Sequence, residues 1–169
     1  MMASGKKFTM ETMQKIQNDV YDEYAKVLLP KLLHIVKKNK RNYYEEMSKE
    51  MKILKRMEKI LETYNYETSI ESKAALIHNT WFAEIIDSLF VTYFKDEFER
   101  SAVNTYFFIN HFFGNAITRW AANNDTDAPF CENPESKSKA NKCIFNVING
   151  LVKSYENIIG TLGTDEVSL

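Results

Sequence analysis

From Thr9 onward, Met10, Met13, Ile16, Val20, Tyr24, Val27 and Leu28 recur at steps of three and four, the spacing that gathers side chains on one face of an α-helix. The spacing predicts one helix that starts at a Thr9 cap and runs into "YAKVLLPKLLHIVKKNK". Pro30 should kink or break it, because a proline in a helix interior costs about 3 kcal/mol. Leu32, Leu33, Ile35 and Val36 then resume the apolar face, and "KKNKR" places positive charge where the helix dipole is negative. Over 43–64, Tyr44, Met47, Met51, Leu54, Met57, Leu61 and Tyr64 predict a second amphipathic helix, with Lys49, Lys52, Lys55, Arg56 and Lys59 on its wet side. Thr68 and Glu71 have the spacing of a capping box. They predict a helix start ahead of Ile70, Ala74, Ile77, Trp81, Ile85, Leu89 and Phe90, with Tyr93 and Phe94 near its end.

The segment 97–121 is apolar on nearly every side, through Val103, Tyr106, Phe107, Phe108, Ile109, Phe112, Phe113, Ile117 and Trp120. A helix of that kind belongs in the middle of a bundle or in an interface. "NNDTDAPFCENPESKS" is dense in turn-forming residues and reads as a surface loop. A last helix carries Ala140, Ile144, Val147, Ile148, Leu151, Tyr155 and Ile158, with Gly160 able to end it. No strand-like alternation and no internal repeat interrupts this pattern. The prediction is therefore an all-α, single-domain helical bundle of about five to seven helices, with a flexible lead over 1–8, the bundle over 9–160 and a frayed tail over 161–169.

Composition narrows the partners. The 169 residues include 22 basic and 23 acidic ones, so no global field draws the chain to nucleic acid or anionic lipid. Lys37, Lys38, Lys40 and Arg41 form a local basic patch, but Glu45, Glu46, Glu50 and Glu58 dilute it. No apolar run is long enough for a spanning helix, so no membrane role is expected. Cys131 and Cys143 lack metal-binding spacing, and reduced cysteines in a cytoplasmic protein are the simpler expectation.

The usual phosphate, dinucleotide, zinc and acyl-transfer motifs are absent, which argues for a non-enzymatic protein. His34, His78 and His111 stand far apart, so no metal site is expected and no cofactor is required. The aromatic set around Trp81, Phe82, Tyr106, Phe112 and Trp120, with Asn110, His111 and Asn115 as orienting polar groups, has the make-up of a pocket for a small apolar or aromatic ligand. The same residues would serve equally as core or dimer interface. An enzyme would need an acid/base pair such as Glu84 and Asp87, yet carboxylates three apart more often mark a helix's solvent side.

The segment "YFFINHFFGNAITRW", a Pro-containing loop and then "SKANKCIFNVINGLVKSY" resemble the last two helices of the ligand-binding, dimerising domain of TetR-type transcriptional regulators. "NYYEEMSKEMKIL" is similar to the segment after that family's DNA-recognition helix. The resemblance implies a small-molecule-sensing homodimer, with Ile144, Val147, Ile148, Leu151 and Tyr155 at the interface. DNA binding is not expected of this chain alone, because "LLPKLLHIVKKNKRN" lacks the Gly-containing turn of a helix-turn-helix. A protein-interaction bundle, such as an immunity protein or a viral decoy of the Bcl-2 class, is the alternative. Behind it stands a haem-binding sensor globin, which "HNTWFAEIIDSLFVTYFKDEF" followed by His111, Gly114 and Trp120 loosely resembles, with His111 as axial ligand.

Overall fold

The computed structural model describes residues 9–91, 114–123, 131 and 142–162. Among them six α-helices follow in order: α1 Met10–Gln17, α2 Glu23–Asn39, α3 Lys49–Leu61, α4 Lys73–Ile86, α5 Gly114–Asn123 and α6 Lys142–Leu162. A 3-10 turn, Lys40–Asn42, extends α2, and a π-helical turn, Asp87–Val91, extends α4. The fold is all-α, as the periodicity predicts.

Side-chain caps set where these helices begin. Thr9, Asp22, Ser48 and Ser72 each accept a hydrogen bond from the backbone N–H three residues on, at 3.2, 2.7, 3.1 and 3.2 Å, which satisfies a donor that the first helical turn otherwise leaves orphaned. Two predicted boundaries are corrected here. The single helix through Thr9 and Leu28 is instead two, with a break over 18–22 rather than at Pro30, and α2 runs through the proline. The helix expected to start at the Thr68 and Glu71 box starts at Ser72.

One tertiary contact explains both. Residues 20–22 lie antiparallel to 66–68, with Asp22 N–H donating to the Tyr66 carbonyl (2.7 Å) and Thr68 N–H to the Val20 carbonyl (2.8 Å). Backbone held in that extended pairing cannot continue a helix on either side. Met10, Met13, Ile16, Val20, Val27 and Ile70, expected on buried faces, are exposed. Likewise α3 begins at Lys49, behind the Ser48 cap, rather than near Tyr43, leaving Met47 in solvent while Met51, Leu54, Met57 and Leu61 are buried as predicted. Gly160 lies inside α6 rather than ending it.

The hub is α6, which packs most extensively on α4 and also on α2 and α3, while α5 packs on α2. Its buried stripe, Cys143, Val147, Ile148, Leu151 and Ile158, repeats at three and four and meets Trp81, Ile85 and Leu89 in one continuous core. The Trp81 indole N–H donates to the Val147 carbonyl at 2.8 Å in the interior, so the bulkiest side chain of α4 is both packed and polar-satisfied. Val147, Ile148 and Leu151 thus face the chain's own core, while Ile144 and Tyr155 pack partly buried against it. The expectation of two reduced cysteines is corrected, for Cys131 and Cys143 are joined in a buried disulfide. Among the described residues no helix is long and apolar enough to cross a membrane.

Candidate functional site

Leu29, Pro30, Leu33, His34 and Lys37 lie on one side of α2, because at about 3.6 residues per turn they fall within less than half of the helix circumference. Across from it stand Leu61 and Glu62 at the end of α3 and Tyr66 on the following turn. Together these residues line a half-open cleft of about 330 Å³. Its floor is apolar, with Leu29, Leu33 and Leu61 all buried. Polar groups sit at the mouth, where Lys37 Nζ meets Glu62 Oε1 at 2.5 Å, each side chain about half-exposed.

Tyr66 forms the wall. Its backbone is left-handed at φ 65°, a conformation that costs a bulky residue on the order of 1–3 kcal/mol and persists only where the surroundings impose it. The Asp22 and Thr68 backbone bonds flank it and impose it. Its ring packs on Tyr64 (centroids 5.4 Å apart) and edge-on to Tyr21 (6.2 Å). The aromatic series continues inward, as Tyr64 packs against His78 (6.1 Å), His78 stacks on Phe82 (6.4 Å), and Phe82 meets Tyr24 edge-on (5.5 Å).

His78 is the anomaly in this series. It is 2% exposed, and neither ring nitrogen makes a hydrogen bond of good geometry, the Asn79 side chain being its polar neighbour, whereas buried polar atoms are almost always well paired. Burial lowers its pKa and so favours the neutral imidazole, with the Asp22 carboxylate and the Asn79 side chain opposing. At the far end of the series the Tyr24 hydroxyl donates to the Gly114 carbonyl, and the Thr118 hydroxyl lies 2.8 Å from Tyr24 Oη. Burial raises the Tyr24 pKa. Gly114 is required at this approach, since a Cβ there would stand 2.8 Å from Tyr24 Oη.

The proposed acid/base pair is placed as follows. Glu84 accepts a hydrogen bond from Asn157 across the α4–α6 seam. Burial raises its pKa and Asp87 adds to this, while Lys153 and Asn157 oppose. Asp87 opens the π-helical turn, a geometry often found at functional sites. Of the predicted pocket residues, Trp81 and Trp120 are buried in the core, Phe82 stacks on His78, and Asn115 is exposed. Tyr106, Asn110, His111 and Phe112 lie outside the described residues, so the aromatic pocket and the haem ligand fall there too. The basic patch is largely spent on ion pairs, with Lys37 on Glu62, Arg41 on Glu46, and Lys40 on Glu58 at 2.6 Å in a nearly buried pair. Among the described residues no cluster of His, Cys, Asp and Glu could hold a metal ion.

The cleft was not legible as a site. Its leucines repeat at helical spacing and read as core, and Tyr66 in "NYET" reads as a polar break. The available signal was Pro30, which costs a helix interior a backbone hydrogen bond and here lines the cleft.

Comparison with known families identifies the class. The chain matches the penicillin amidase family over residues 1–167 and belongs to it. No characterised protein and no solved structure matches it. Family membership corrects the earlier reading, since the chain is neither a TetR-type regulator nor a non-enzymatic sensing domain but a member of an amidohydrolase family. The TetR resemblance rested on an apolar helix pair, and an apolar stripe needs burial whether it meets a partner or its own chain. Here Val147, Ile148 and Leu151 are buried within the chain itself. The protein-interaction alternative gains no support from the comparison.

Proposed function

We propose that this chain serves the hydrolysis of an amide bond, in which water is added across the C–N bond to release a carboxylate and an amine. The observation that carries the reading is the family match spanning residues 1–167. A covalent route to that hydrolysis needs a nucleophile whose hydroxyl or thiol is free to attack and a group to take its proton. Many of the described hydroxyls are committed to structure. Ser48 and Ser72 cap helices, Thr63, Thr80 and Ser154 donate to backbone carbonyls within one helical turn, and Thr118 is held by Tyr24 and Gly114. The attacking group is therefore sought outside this set.

The test uses the full chain with phenylacetyl p-nitroanilide, following p-nitroaniline release, and then a sulfonyl fluoride with mass-spectrometric mapping. Release that stops on sulfonylation, with the adduct on a residue other than Ser48, Thr63, Ser72, Thr80, Thr118 or Ser154, is the expected result. Release no faster than in buffer, with no adduct, would overturn the proposal. The Cys131–Cys143 disulfide supports an oxidising compartment over the reducing cytoplasm. Alkylation of the protein from its native source, before and after reduction, reads this directly.

A further inference from the structure

The mouth of the α2–α3 cleft carries two opposite charges in direct contact over an apolar floor. Lys37 and Glu62 stand at 2.5 Å, each about half in water, and exposed pairs of this kind contribute little to stability. The pair is therefore free to open toward a ligand. A ligand bearing one charge would satisfy one partner and strand the other. A ligand bearing both charges on neighbouring atoms pairs with Lys37 and Glu62 together and leaves the site neutral.

Below the mouth, Leu29, Pro30, Leu33, Leu61 and Tyr66, with His34 beside them, line a half-open cleft that with the charged mouth measures about 330 Å³, the lower end of the range for small-molecule sites. The wall is preorganised. Tyr66 is fixed in a left-handed conformation by the Asp22 and Thr68 backbone bonds, and its ring is braced by Tyr64 and Tyr21. Holding a large aromatic in a rarely populated conformation at a cavity wall is characteristic of ligand clamps, and rigidity lowers the entropic cost of binding.

We infer that the α2–α3 cleft binds an apolar α-amino acid as its zwitterion, with the carboxylate on Lys37, the ammonium on Glu62, and the side chain among Leu29, Leu33, Leu61 and Tyr66. The charges of an α-amino acid sit on one carbon, which suits an ion pair in contact, and a single apolar side chain suits a floor of this size. The inference does not depend on amide hydrolysis, since such a ligand is held whether or not the chain cleaves anything.

The experiment is calorimetric titration of the full chain with L-phenylalanine and L-leucine, against phenylacetate, phenethylamine and glycine. One saturable site with a Kd below about 1 mM for the apolar amino acids, and affinity at least about tenfold weaker for each single-charge analogue and for glycine, is expected. Lys37→Met should weaken L-phenylalanine by about tenfold or more while leaving the urea unfolding midpoint close to wild type, because the residue is half-exposed. Leu33→Trp should fill the cleft and abolish binding. Absence of saturation up to about 10 mM amino acid, equal binding of phenethylamine and phenylalanine, or undiminished binding by Lys37→Met would each overturn the inference.

Discussion

The α4–α6 seam and the α2–α3 side are built from the same helical periodicity and end up as different materials. At the seam, Trp81 and Ile85 meet Val147, Ile148 and Leu151 in a continuous core, and the buried indole N–H has its acceptor. On the other side, α2 and α3 share leucines but also a nearly buried ion pair, a cleft and a left-handed tyrosine, and through Tyr64 this side reaches the buried His78 of α4. The first region is optimised for burial. The second carries polar and conformational costs that burial alone does not require, and such costs concentrate where a protein binds or reacts.

The comparison breaks if the seam tolerates truncation. Trp81→Ala removes a fully buried indole and its bond to Val147, and should cost about 4 kcal/mol in urea unfolding. A loss under about 1 kcal/mol would mean the seam is not the stabilising region. On the opposite side, Lys40→Met leaves the Glu58 carboxylate, whose side chain is only 9% exposed, without its cation. The expected loss is about 3 kcal/mol, with Lys40→Met/Glu58→Leu recovering much of it. Equal loss in the single and double variants would show that the pair is not coupled.

The helical class was legible because burial of an apolar stripe is a local, periodic demand. Leu28, Leu32, Met51, Leu54, Met57, Ile77, Trp81, Ile85 and Leu151 are all buried where their spacing puts them. The misplaced boundaries share a different cause. The break after α1 and the late start of α4 both follow from the pairing of 20–22 with 66–68, a contact between segments far apart in the chain. No window of neighbouring residues contains that information, and Thr68 and Glu71 satisfied the capping pattern without being used by it. The cleft was hidden for the same reason, since its walls come from α2, the end of α3 and the 62–66 turn, and each is unremarkable alone. The disulfide was hidden too, as the spacing of Cys131 and Cys143 does not state whether they meet.

A smaller effect separates the two regions by pH. Burial lowers the His78 pKa below its ordinary 6.5, with Asp22 opposing. The unfolded chain takes up this proton as pH falls through about 6.5, while the folded chain resists it until the lowered value is reached. Stability from this residue is thus fully present above about 6.5, declines by at most about 1.4 kcal/mol per pH unit between there and the lowered value, and levels off below it. The carboxylate acting on it is that of Asp22, and the rings of Tyr64 and Phe82 flank it. In His78→Phe the extra acid sensitivity should vanish, which the difference in urea midpoints between wild type and variant from pH 7 to 5 would record. Parallel profiles would show that His78 is not the group that titrates.

The finest test returns to the seam, where packing is close but not saturated. Gly150 sits in α6 opposite α4, and a Cβ built there would lie 3.4 Å from Ile85 Cγ1, 3.5 Å from Trp81 Cδ1 and 3.6 Å from Glu84 Cβ. Those are ordinary contact distances, so an added methyl group fits without displacing backbone. Glycine in a helix interior meanwhile costs up to about 1 kcal/mol relative to alanine. Gly150→Ala should therefore raise stability by roughly 0.5–1 kcal/mol, seen as a higher urea midpoint with an unchanged slope. A lower midpoint would mean that α4 and α6 approach at the limit of contact, and that the seam already has no room for one more carbon.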